Sequence, residues 1–350
     1  MNNFREDDIL ILIGAGCSKE AGIPTSIDMV EEIEKSIESN EEWKEFKELY
    51  HFIKSCIIYA DGLQAKYGEP FNIERLVNTL YELEKKEEHP IFPFIGSWNS
   101  KVIELCGHDF KKIKDLKKKI IEKLRDWVTL EDYSEARYYK YIIEFSRQLE
   151  FPLRLFSLNY DLCLEKNNQD CHVELGFDEN RKWQWQRFEK NENIPVNIYL
   201  YKMHGSINWK RKDGFLTYSD EVSQIEEPDL IFGTNYKLQY VDPYLFFAYE
   251  FRKYSLEARL MITIGYGYSD EHINGIIGQA LRHKEDMRVI ANIYNDKDKG
   301  EIKENILKKI GVNNPSQLIV ENIKASNFLE SKLNLKELVK YLPQKTPFDE

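Results

Sequence analysis

The chain begins with a continuous run of apolar residues, Ile9–Ile13, that leads directly into Gly14-Ala15-Gly16. Such an uninterrupted run is typical of a strand buried on both faces of a parallel sheet. A second run, "ARLMITIGYGY" from Ala258 to Tyr268, repeats the order of apolar strand and glycine loop. We therefore expect both loops to approach another group closely with their backbones.

Helical spacing dominates the next part of the chain. Thr25 can cap a helix with Asp28 three residues on. From Glu41 to about Glu150, apolar residues recur three and four apart in "NIERLVNTLYELEKK", "KKIKDLKKKIIEKLR" and "YSEARYYKYIIEFSRQL". These patterns predict a mostly helical segment, with no second strand directly after the first helix.

Strand patterns return at "PLRLFSLNYD", Pro152 to Asp161. They continue in "CHVELGF", "KWQWQRF", "VNIYLYKMHG" and "INWKRKDGFLTY", the last around a Lys-Asp-Gly turn typical of a hairpin. "MRVIANIY" and "QLIVENI" predict two more strands, and "HINGIIGQAL" and "NLKELVKYL" predict helices. The aromatic residues of this region suit core packing better than base stacking; they are Trp183, Trp185, Trp209, Tyr199 and Tyr201.

The succession of elements predicts an α/β fold, a Rossmann-like, doubly wound and mostly parallel sheet with a large helical insertion. We expect residues 1–35 and 150–350 to form the sheet domain and residues 36–149 to form a helical insertion subdomain. Because ligands of such sheets bind beyond the carboxyl ends of the strands, the glycine loops are the first candidates for a binding site.

The charge of the chain argues against nucleic acid as a partner. The 350 residues carry 49 Lys and Arg against 60 Asp and Glu, a formal net charge of −11. An acidic protein repels phosphate backbones, so no direct nucleic-acid binding is expected. The Lys-rich run Lys111–Arg125 has apolar residues at helical spacing, which favours a solvated helix face over a partner-binding patch.

Cysteine usage and the start of the chain indicate a reducing compartment. The cysteines are odd in number and form no C-x-x-C pair, which argues against a disulfide framework and a zinc ribbon; they are Cys17, Cys56, Cys106, Cys163 and Cys171. The opening "MNNFREDDIL" is unlike a signal peptide, and no long apolar window predicts a membrane span. We expect a cytoplasmic protein with no metal and no membrane contact.

The first glycine loop only partly fits known phosphate-binding patterns. Gly14 and Gly16 match G-x-G-x-x-G, but Lys19 stands where the third glycine belongs, and no strand carries the expected acidic ribose ligand. A dehydrogenase is therefore disfavoured, and the absence of Gly-Lys-Ser/Thr excludes a P-loop. A tight turn after a core strand would explain the loop equally well by itself.

Four stretches together are more specific: "GAGCSKEAGIP" from Gly14, "SLNYD" from Ser157, "KMHGSINW" from Lys202 and "TIGYGYSDEHIN" from Thr263. In this order they resemble the sirtuin family, the silent-information-regulator-like proteins that consume NAD, and most of all the prokaryotic branch found in antiviral defence. The resemblance covers roughly residues 8–35 and 150–325; residues 36–149 match nothing we can name.

The resemblance implies NAD as substrate and a role for each matching residue. The glycine turn Gly14-Ala15-Gly16 and the Ser18 hydroxyl would hold the pyrophosphate at the start of a helix. Asn159 would orient a water or the nicotinamide ribose, Asp161 would lie near the carboxamide or the developing sugar cation, and His204 would be the general acid and base. Gly265 and Ser269 would flank the adenosine, and Asn292 would meet the adenine ribose.

The residue types also have structural alternatives. Asn159 and Asp161 could cap the helix that follows them, and His204 could be a satisfied structural histidine. Against that, cleavage of a glycosidic bond develops positive charge on the sugar, which an anion and oriented dipoles stabilise, and a histidine near neutrality can accept a proton. Gly205, which has no side chain, would allow a ligand to approach His204 closely.

Two departures from deacylating sirtuins favour NAD hydrolysis. Thr25-Ser26-Ile27 replaces the usual aromatic residue and arginine, and the two zinc-binding C-x-x-C pairs are missing. We therefore expect an NAD glycohydrolase that forms ADP-ribose and nicotinamide, an effector of antiphage defence that depletes NAD in abortive infection. The alternatives are an NAD or ADP-ribose sensor without turnover, and an NAD-dependent protein deacylase or ADP-ribosyltransferase.

Control of such an activity is expected to come from outside this polypeptide. Only "LPQKTPFDE" follows the last predicted helix, which leaves no room for a sensor domain of typical size. We expect a homo-oligomer, and the resemblance adds a co-encoded ATPase or an Argonaute-like protein as possible partners.

Overall fold

The computed structural model describes most of the chain. The described residues are 4–65, 70–85, 100–107, 109–168, 171–189, 195–225, 227–232 and 241–342. The tail "PQKTPFDE" and part of the predicted insertion lie outside these ranges.

A seven-stranded parallel sheet forms the centre of the fold, in the strand order β3-β4-β2-β1-β7-β8-β9. Its strands are β1 Ile9–Ile13, β2 Leu153–Ser157, β3 Val173–Glu174, β4 Ile198–Lys202, β7 Leu260–Ile264, β8 Arg288–Asn292 and β9 Leu318–Glu321. A separate antiparallel hairpin consists of β5 Trp209–Lys212 and β6 Phe215–Tyr218. Every residue of β1, β2, β4 and β7 is buried, which explains the continuous apolar text of β1. Strands β2 and β4 also bury polar residues, namely Arg154, Ser157 and Lys202.

The helices divide between the sequence before and after β2. Those before it are α1 Ser26–Ser39, α2 Glu41–Lys44, α3 Lys47–Leu63, α4 Ile73–Glu84, α5 Ser100–Cys106, α6 Lys111–Val128 and α7 Lys140–Ser146. Those after it are α8 Cys163–Lys166, α9 Tyr244–Glu257, α10 Glu271–His283, α11 Lys299–Ile310, α12 Ala325–Ser331 and α13 Leu335–Leu338. The predicted cap of α1 is present, because Thr25 and Asp28 form a reciprocal capping box.

The strand order contains the reversal that defines a doubly wound sheet. From β1 the chain adds β2 and β4 on one side, then returns to place β7, β8 and β9 on the other side of β1. In register, Ile13 lies between Ser157 of β2 and Ile264 of β7. The predicted Rossmann-like α/β fold is confirmed, and its switch point lies at the carboxyl ends of β1 and β7.

Two predicted strands differ in the structure. "KWQWQRF" forms a 3-10 turn at Trp185–Phe188, and "CHVELGF" contributes only the two residues of β3. The hairpin around Asp213-Gly214 was predicted correctly, and both residues have positive φ, as a tight hairpin turn requires.

Contacts divide the chain into one unit of residues 1–23 with 129–350 and a second unit of residues 24–128. The predicted division, 1–35 with 150–350 and 36–149, differs in where α1 and residues 129–149 fall. Within the second unit, α6 buries the apolar face that its spacing predicts, with Ile113, Leu116, Ile120 and Leu124 fully inside. Its lysines lie outward, and Lys117 pairs with Glu84 of α4.

Among the described helices, none combines the length and the apolar character that a crossing of the bilayer would need.

Candidate active site at the carboxyl edge of the sheet

The glycine loops after β1 and β7 pack directly against each other. The Gly14 amide donates to the Ile264 carbonyl at 3.0 Å, and the Gly16 amide donates to the Gly265 carbonyl at 2.9 Å. A Cβ added to Gly265, whose φ is +64°, would lie 2.0 Å from the amide nitrogen of Cys17. The close backbone approach that the glycines predict is therefore first of all an approach between two loops.

This packing uses most of the donors expected to hold a pyrophosphate. The amides of Gly14, Gly16, Cys17 and Ser18 all donate to carbonyls inside the protein. Of the backbone amides from Gly14 to Ser18, the Ala15 amide has no hydrogen-bond acceptor among the described residues. Ala15 is half-buried, so its amide is the loop's best-placed group for an anion.

The backbone after the first loop is not the start of an α-helix. Two 3-10 turns, Ala15–Cys17 and Lys19–Ala21, follow Gly14, and α1 begins only at Ser26. A helix macrodipole needs several aligned peptide units, which turns of three residues do not supply. The predicted contribution of a helix N-terminus at Ser18 is therefore wrong.

The Ser18 hydroxyl lies at the centre of a buried network. It donates to Asp161 Oδ2 at 2.7 Å and accepts from Asn159 Nδ2 at 3.0 Å, and it lies 2.8 Å from the Tyr139 hydroxyl. A carboxylate only accepts, so the Ser18 proton points to Asp161 and Tyr139 must donate. The hydroxyl proton and both lone pairs of Ser18 are then engaged in hydrogen bonds within the protein. The predicted contact of Ser18 with pyrophosphate stays a prediction.

Asn159 follows β2 and is buried, with its amide orientation set by Ser18. Because Ser18 needs a donor there, Nδ2 faces the network and Oδ1 faces away from it. Oδ1 is fully buried and has no partner among the described residues. A buried carbonyl oxygen without a donor costs free energy, so it marks a place where a ligand hydroxyl or water would bind favourably.

Asp161 serves the structure of the loop as well as the network. Its Oδ1 accepts from the Cys163 amide at 3.0 Å, in the manner of a cap, while its Oδ2 accepts from Ser18. The buried ammonium of Lys202 donates to the Asp161 backbone carbonyl and lies 3.1 Å from a Glu165 carboxylate oxygen. Asp161 therefore orders the turn before α8, although the N-cap position of that helix is Leu162, and its role in a reaction stays a prediction.

Burial controls the ionisation of the groups around Ser18. Desolvation raises the pKa of the Cys17 thiol to about 12 and raises the pKa of Tyr139 well above its usual value. Both side chains are consequently neutral near pH 7, and Tyr139 keeps the proton that it donates to Ser18. Cys17 is excluded as a thiolate nucleophile.

His204 follows β4 and is almost fully buried. Ser157 and Lys202, the last residues of the neighbouring strands β2 and β4, are paired in the sheet. Asn159 and His204 each follow two residues after this pair. The Nε2 atom of His204 is 3.4 Å from Asp270 Oδ2. Its Nδ1 atom is buried and, within the described ranges, has no hydrogen-bond partner.

Gly205 is needed for packing rather than for ligand access. Its φ is +86°, and an added Cβ would lie 2.1 Å from the Asp229 carbonyl oxygen. The Ile231 amide donates to the His204 carbonyl at 2.9 Å, so residues 229–231 occupy the space beside the glycine. The expectation that a ligand uses this space is wrong.

The predicted adenosine-side residues lie beyond β7 and β8. The Gly265 amide donates to the Asn292 carbonyl at 2.9 Å. The Asn292 side chain is buried, and its Nδ2 donates to the Ile323 carbonyl at 2.9 Å. Ser269 is exposed. These residues share the carboxyl edge of the sheet with Asn159 and His204, and their contacts with a nucleotide remain predictions.

Two residues of the site, Tyr139 and Asp270, are not among those predicted from the sequence. Tyr139 lies in a 3-10 turn, Tyr133–Tyr139, within text that reads as an insertion helix. Asp270 lies in the quoted motif "TIGYGYSDEHIN", and its position just before an apolar helical run could have identified it as a helix cap. Its approach to His204 depends on the tertiary fold and could not be read from spacing.

The described residues contain no group of three or more His, Cys, Asp and Glu side chains arranged to hold a metal ion.

Fold and site define a doubly wound α/β protein with a buried polar site at the carboxyl edge of its sheet. Residues 154–314 match the family model described as a SIR2-like domain. The match includes Asn159, Asp161, His204 and Asn292 but not the first glycine loop. The predicted resemblance to sirtuin-like proteins is confirmed at this level.

Solved structures of Sir2 proteins are also similar to this chain. One is a Sir2 homologue in complex with NAD, which is 14% identical to this chain. The alignment covers 96% of this chain and 90% of that chain, with a TM-score of 0.44. Another is Sir2 with the inhibitor EX-527, 2′-O-acetyl-ADP-ribose and a deacetylated p53 peptide, with 12% identity, coverages of 92% and 90%, and a TM-score of 0.40. A comparison with curated proteins found no match.

Proposed function

We propose that the chain is an NAD glycohydrolase that releases nicotinamide and ADP-ribose from NAD and water. The observation that carries the proposal is the pair of buried polar atoms, Asn159 Oδ1 and His204 Nδ1, that have no partner among the described residues. They follow neighbouring strands of a SIR2-like domain. NAD enters the proposal through the resemblance of the four sequence motifs to sirtuins, and a Sir2 homologue of similar structure is known in complex with NAD.

Asn159 Oδ1 accepts hydrogen bonds, and His204 Nδ1 also accepts them in the tautomer that carries its proton on Nε2. In that tautomer the two atoms specify the chemistry of the group that binds them. An amide oxygen and an unprotonated ring nitrogen both require donors, and a ribose diol or a water molecule supplies them. A carboxylate or phosphate ligand at these two atoms would leave acceptors facing acceptors. The site therefore fits the sugar of a nucleotide and a water rather than its phosphates.

The residues have separate tasks in the proposed reaction. NAD supplies the bond that breaks, between the nicotinamide nitrogen and the ribose carbon, and its electron pair leaves with nicotinamide. Asn159 Oδ1 orients the attacking water, and His204 Nδ1 takes the proton as the water oxygen bonds to the ribose carbon. The buried Asp161 carboxylate stabilises the positive charge that develops on the sugar.

A protein acceptor is the second candidate, favoured by an open pocket in the same unit. The pocket, of about 490 Å³, is lined by aromatic and polar residues that include Trp183, Trp185, Arg211 and Phe215. Arg211 pairs with Asp229, whose carbonyl packs on Gly205 beside His204. Such a pocket suits a peptide side chain, so deacylation or ADP-ribosyl transfer is the alternative.

The test is to incubate the purified protein with NAD and to measure nicotinamide release with and without an acetylated peptide. If the protein is a hydrolase, nicotinamide is released without the peptide, and an equal amount of ADP-ribose is formed. Release that requires the peptide supports the protein acceptor. Binding of NAD without release supports a sensor and contradicts both enzymatic candidates.

Substitution of the two acceptors tests the assignment of residues. Asn159→Ala and His204→Ala should each lower NAD cleavage at least about a hundredfold, the scale of a lost acid–base group. His283→Ala, at an exposed histidine of α10, is the matched control and should keep wild-type turnover. Wild-type rates in either folded site variant would contradict the assignment.

The biological setting follows from the resemblance alone and is part of the proposal. An enzyme that depletes NAD would stop the metabolism of an infected cell, as antiphage defence by abortive infection requires. We propose that assembly into a homo-oligomer, or a partner such as a co-encoded ATPase or Argonaute-like protein, controls this activity.

A further inference from the structure

The carboxylate of Asp270 approaches His204 from the other half of the sheet. His204 follows β4 and Asp270 follows β7, and two strands lie between these in the sheet. The Oδ2 and Nε2 atoms are 3.4 Å apart, and the side chains are only 5% and 4% exposed. A buried carboxylate is costly unless a partner compensates for it, so this approach is a specific feature of the fold.

The position of the carboxylate is fixed by the helix that it caps. Asp270 Oδ1 accepts from the amides of His272 at 3.0 Å and Ile273 at 3.3 Å at the start of α10. The Tyr266 hydroxyl lies within hydrogen-bonding distance of the Asp270 carbonyl and of Asn274 Oδ1. These contacts hold the residue rigidly and direct Oδ2 towards the imidazole.

The pairing decides which nitrogen of a neutral His204 carries the proton. A carboxylate oxygen only accepts, so the nitrogen that faces it is favoured as N–H. The proton then lies on Nε2, and the lone pair lies on Nδ1, the atom that is buried without a partner among the described residues. We infer that Asp270 is a positioning residue that holds His204 as the Nε2–H tautomer and makes Nδ1 the basic atom of the site.

The decisive variant is Asp270→Asn, because asparagine caps helices about as well as aspartate. With Oδ1 still bound to the amides of residues 272 and 273, the side-chain NH₂ would face Nε2. That donor requires a lone pair on Nε2 and moves the proton to Nδ1, as in serine proteases when the buried aspartate becomes asparagine. Asp298→Asn is the matched control, because Asp298 caps α11 through the same two contacts and is exposed.

The tautomer is measured directly by ¹⁵N NMR of the full chain labelled at histidine, with His204 assigned through His204→Gln. The wild type should show Nε2–H, Asp270→Asn should shift His204 towards Nδ1–H, and Asp298→Asn should match the wild type. This readout does not depend on any activity. An Nδ1–H tautomer in the wild type overturns the inference, even if Asp270→Asn fails to fold.

The kinetic consequence rests on the proposed function. In Asp270→Asn, kcat for nicotinamide release should fall at least about thirtyfold with KM changed less than about threefold, since the loss affects proton transfer rather than binding. A folded variant with unchanged tautomer and unchanged kcat contradicts the inference. A wild type without NAD turnover whose tautomer still responds to Asp270→Asn contradicts only the proposed function.

Discussion

At the scale of single residues, the proton directions around Ser18 follow from one acceptor. Asp161 accepts the Ser18 proton, so Asn159 and Tyr139 must both donate to Ser18. Because Asn159 donates through Nδ2, its side-chain carbonyl oxygen, Oδ1, faces away from the network. A serine that was expected to bind pyrophosphate therefore sets the orientation of a candidate catalytic amide.

Removal of this hydroxyl should destabilise the protein and lower turnover. Ser18→Ala removes the Ser18 contact of Asp161 Oδ2, of Asn159 Nδ2 and of the Tyr139 hydroxyl, all of them buried, and we expect a loss of about 2–3 kcal/mol in the free energy of unfolding. Turnover of NAD should fall about tenfold or more, because the Asn159 amide is no longer held in one orientation.

The matched control is Ser255→Ala, because Ser255 is equally buried but its hydroxyl has no partner among the described residues. That change should leave stability unchanged or slightly increased. Urea unfolding curves of the two variants give the comparison. Equal stability of Ser18→Ala and the wild type would show that the network contributes nothing.

At the scale of elements, the contact between the two glycine loops joins the halves of the sheet at the switch point. Gly265→Ala would place a Cβ against the Cys17 amide and would force a left-handed backbone on alanine. We expect a loss of at least about 3 kcal/mol, the range of severe backbone strain and overpacking. Gly267→Ala, in the same loop but with open space around the new Cβ, should change stability by less than about 0.5 kcal/mol.

Thermal and urea unfolding of the two glycine variants test this contact. If both variants unfold like the wild type, the loops do not pack as the structure describes. If Gly267→Ala is as damaging as Gly265→Ala, the effect comes from the flexibility of the loop and not from the close approach.

The sequence predicts the elements whose surroundings are uniform. Strands β1, β2, β4 and β7 are buried throughout, so their mostly apolar text identifies them without knowledge of the fold. "KWQWQRF" alternates like a strand through Trp183 and Trp185, but Trp185 is exposed and residues 185–188 form a 3-10 turn. The approach of Tyr139 to Ser18 or of Asp270 to His204 joins distant parts of the chain, and no local pattern encodes it.

Residues 129–149 show the same limit for domain boundaries. Their helical text continues that of α6, yet their contacts group them with the sheet unit. Tyr138 donates to the Cys17 carbonyl at 2.6 Å, and Tyr139 contacts Ser18. Periodicity reports that a segment is amphipathic, but not which element covers its apolar face.

At the scale of the whole molecule, the chain is expected to work without a metal ion. The sequence has no C-x-x-C pair, and the described residues offer no cluster of metal ligands. Protein washed with chelator should contain zinc far below one ion per chain by elemental analysis, and chelator should leave its melting temperature unchanged. Stoichiometric zinc together with a lower melting temperature after its removal would contradict this expectation.

The proposed hydrolase must also be restrained, because a fully active enzyme would consume the NAD of its own cell. The candidate residues Asn159, Asp161 and His204 all belong to the unit of residues 1–23 and 129–350. The unit of residues 24–128 contributes none of them, so we propose that this unit provides the surface that receives a partner or a second copy. In a dilution series, specific activity should fall as light scattering shows the assembly dissociating, or should rise when a co-encoded partner is added. A dilute monomer whose full specific activity is independent of concentration and of any such partner would rule out this form of control.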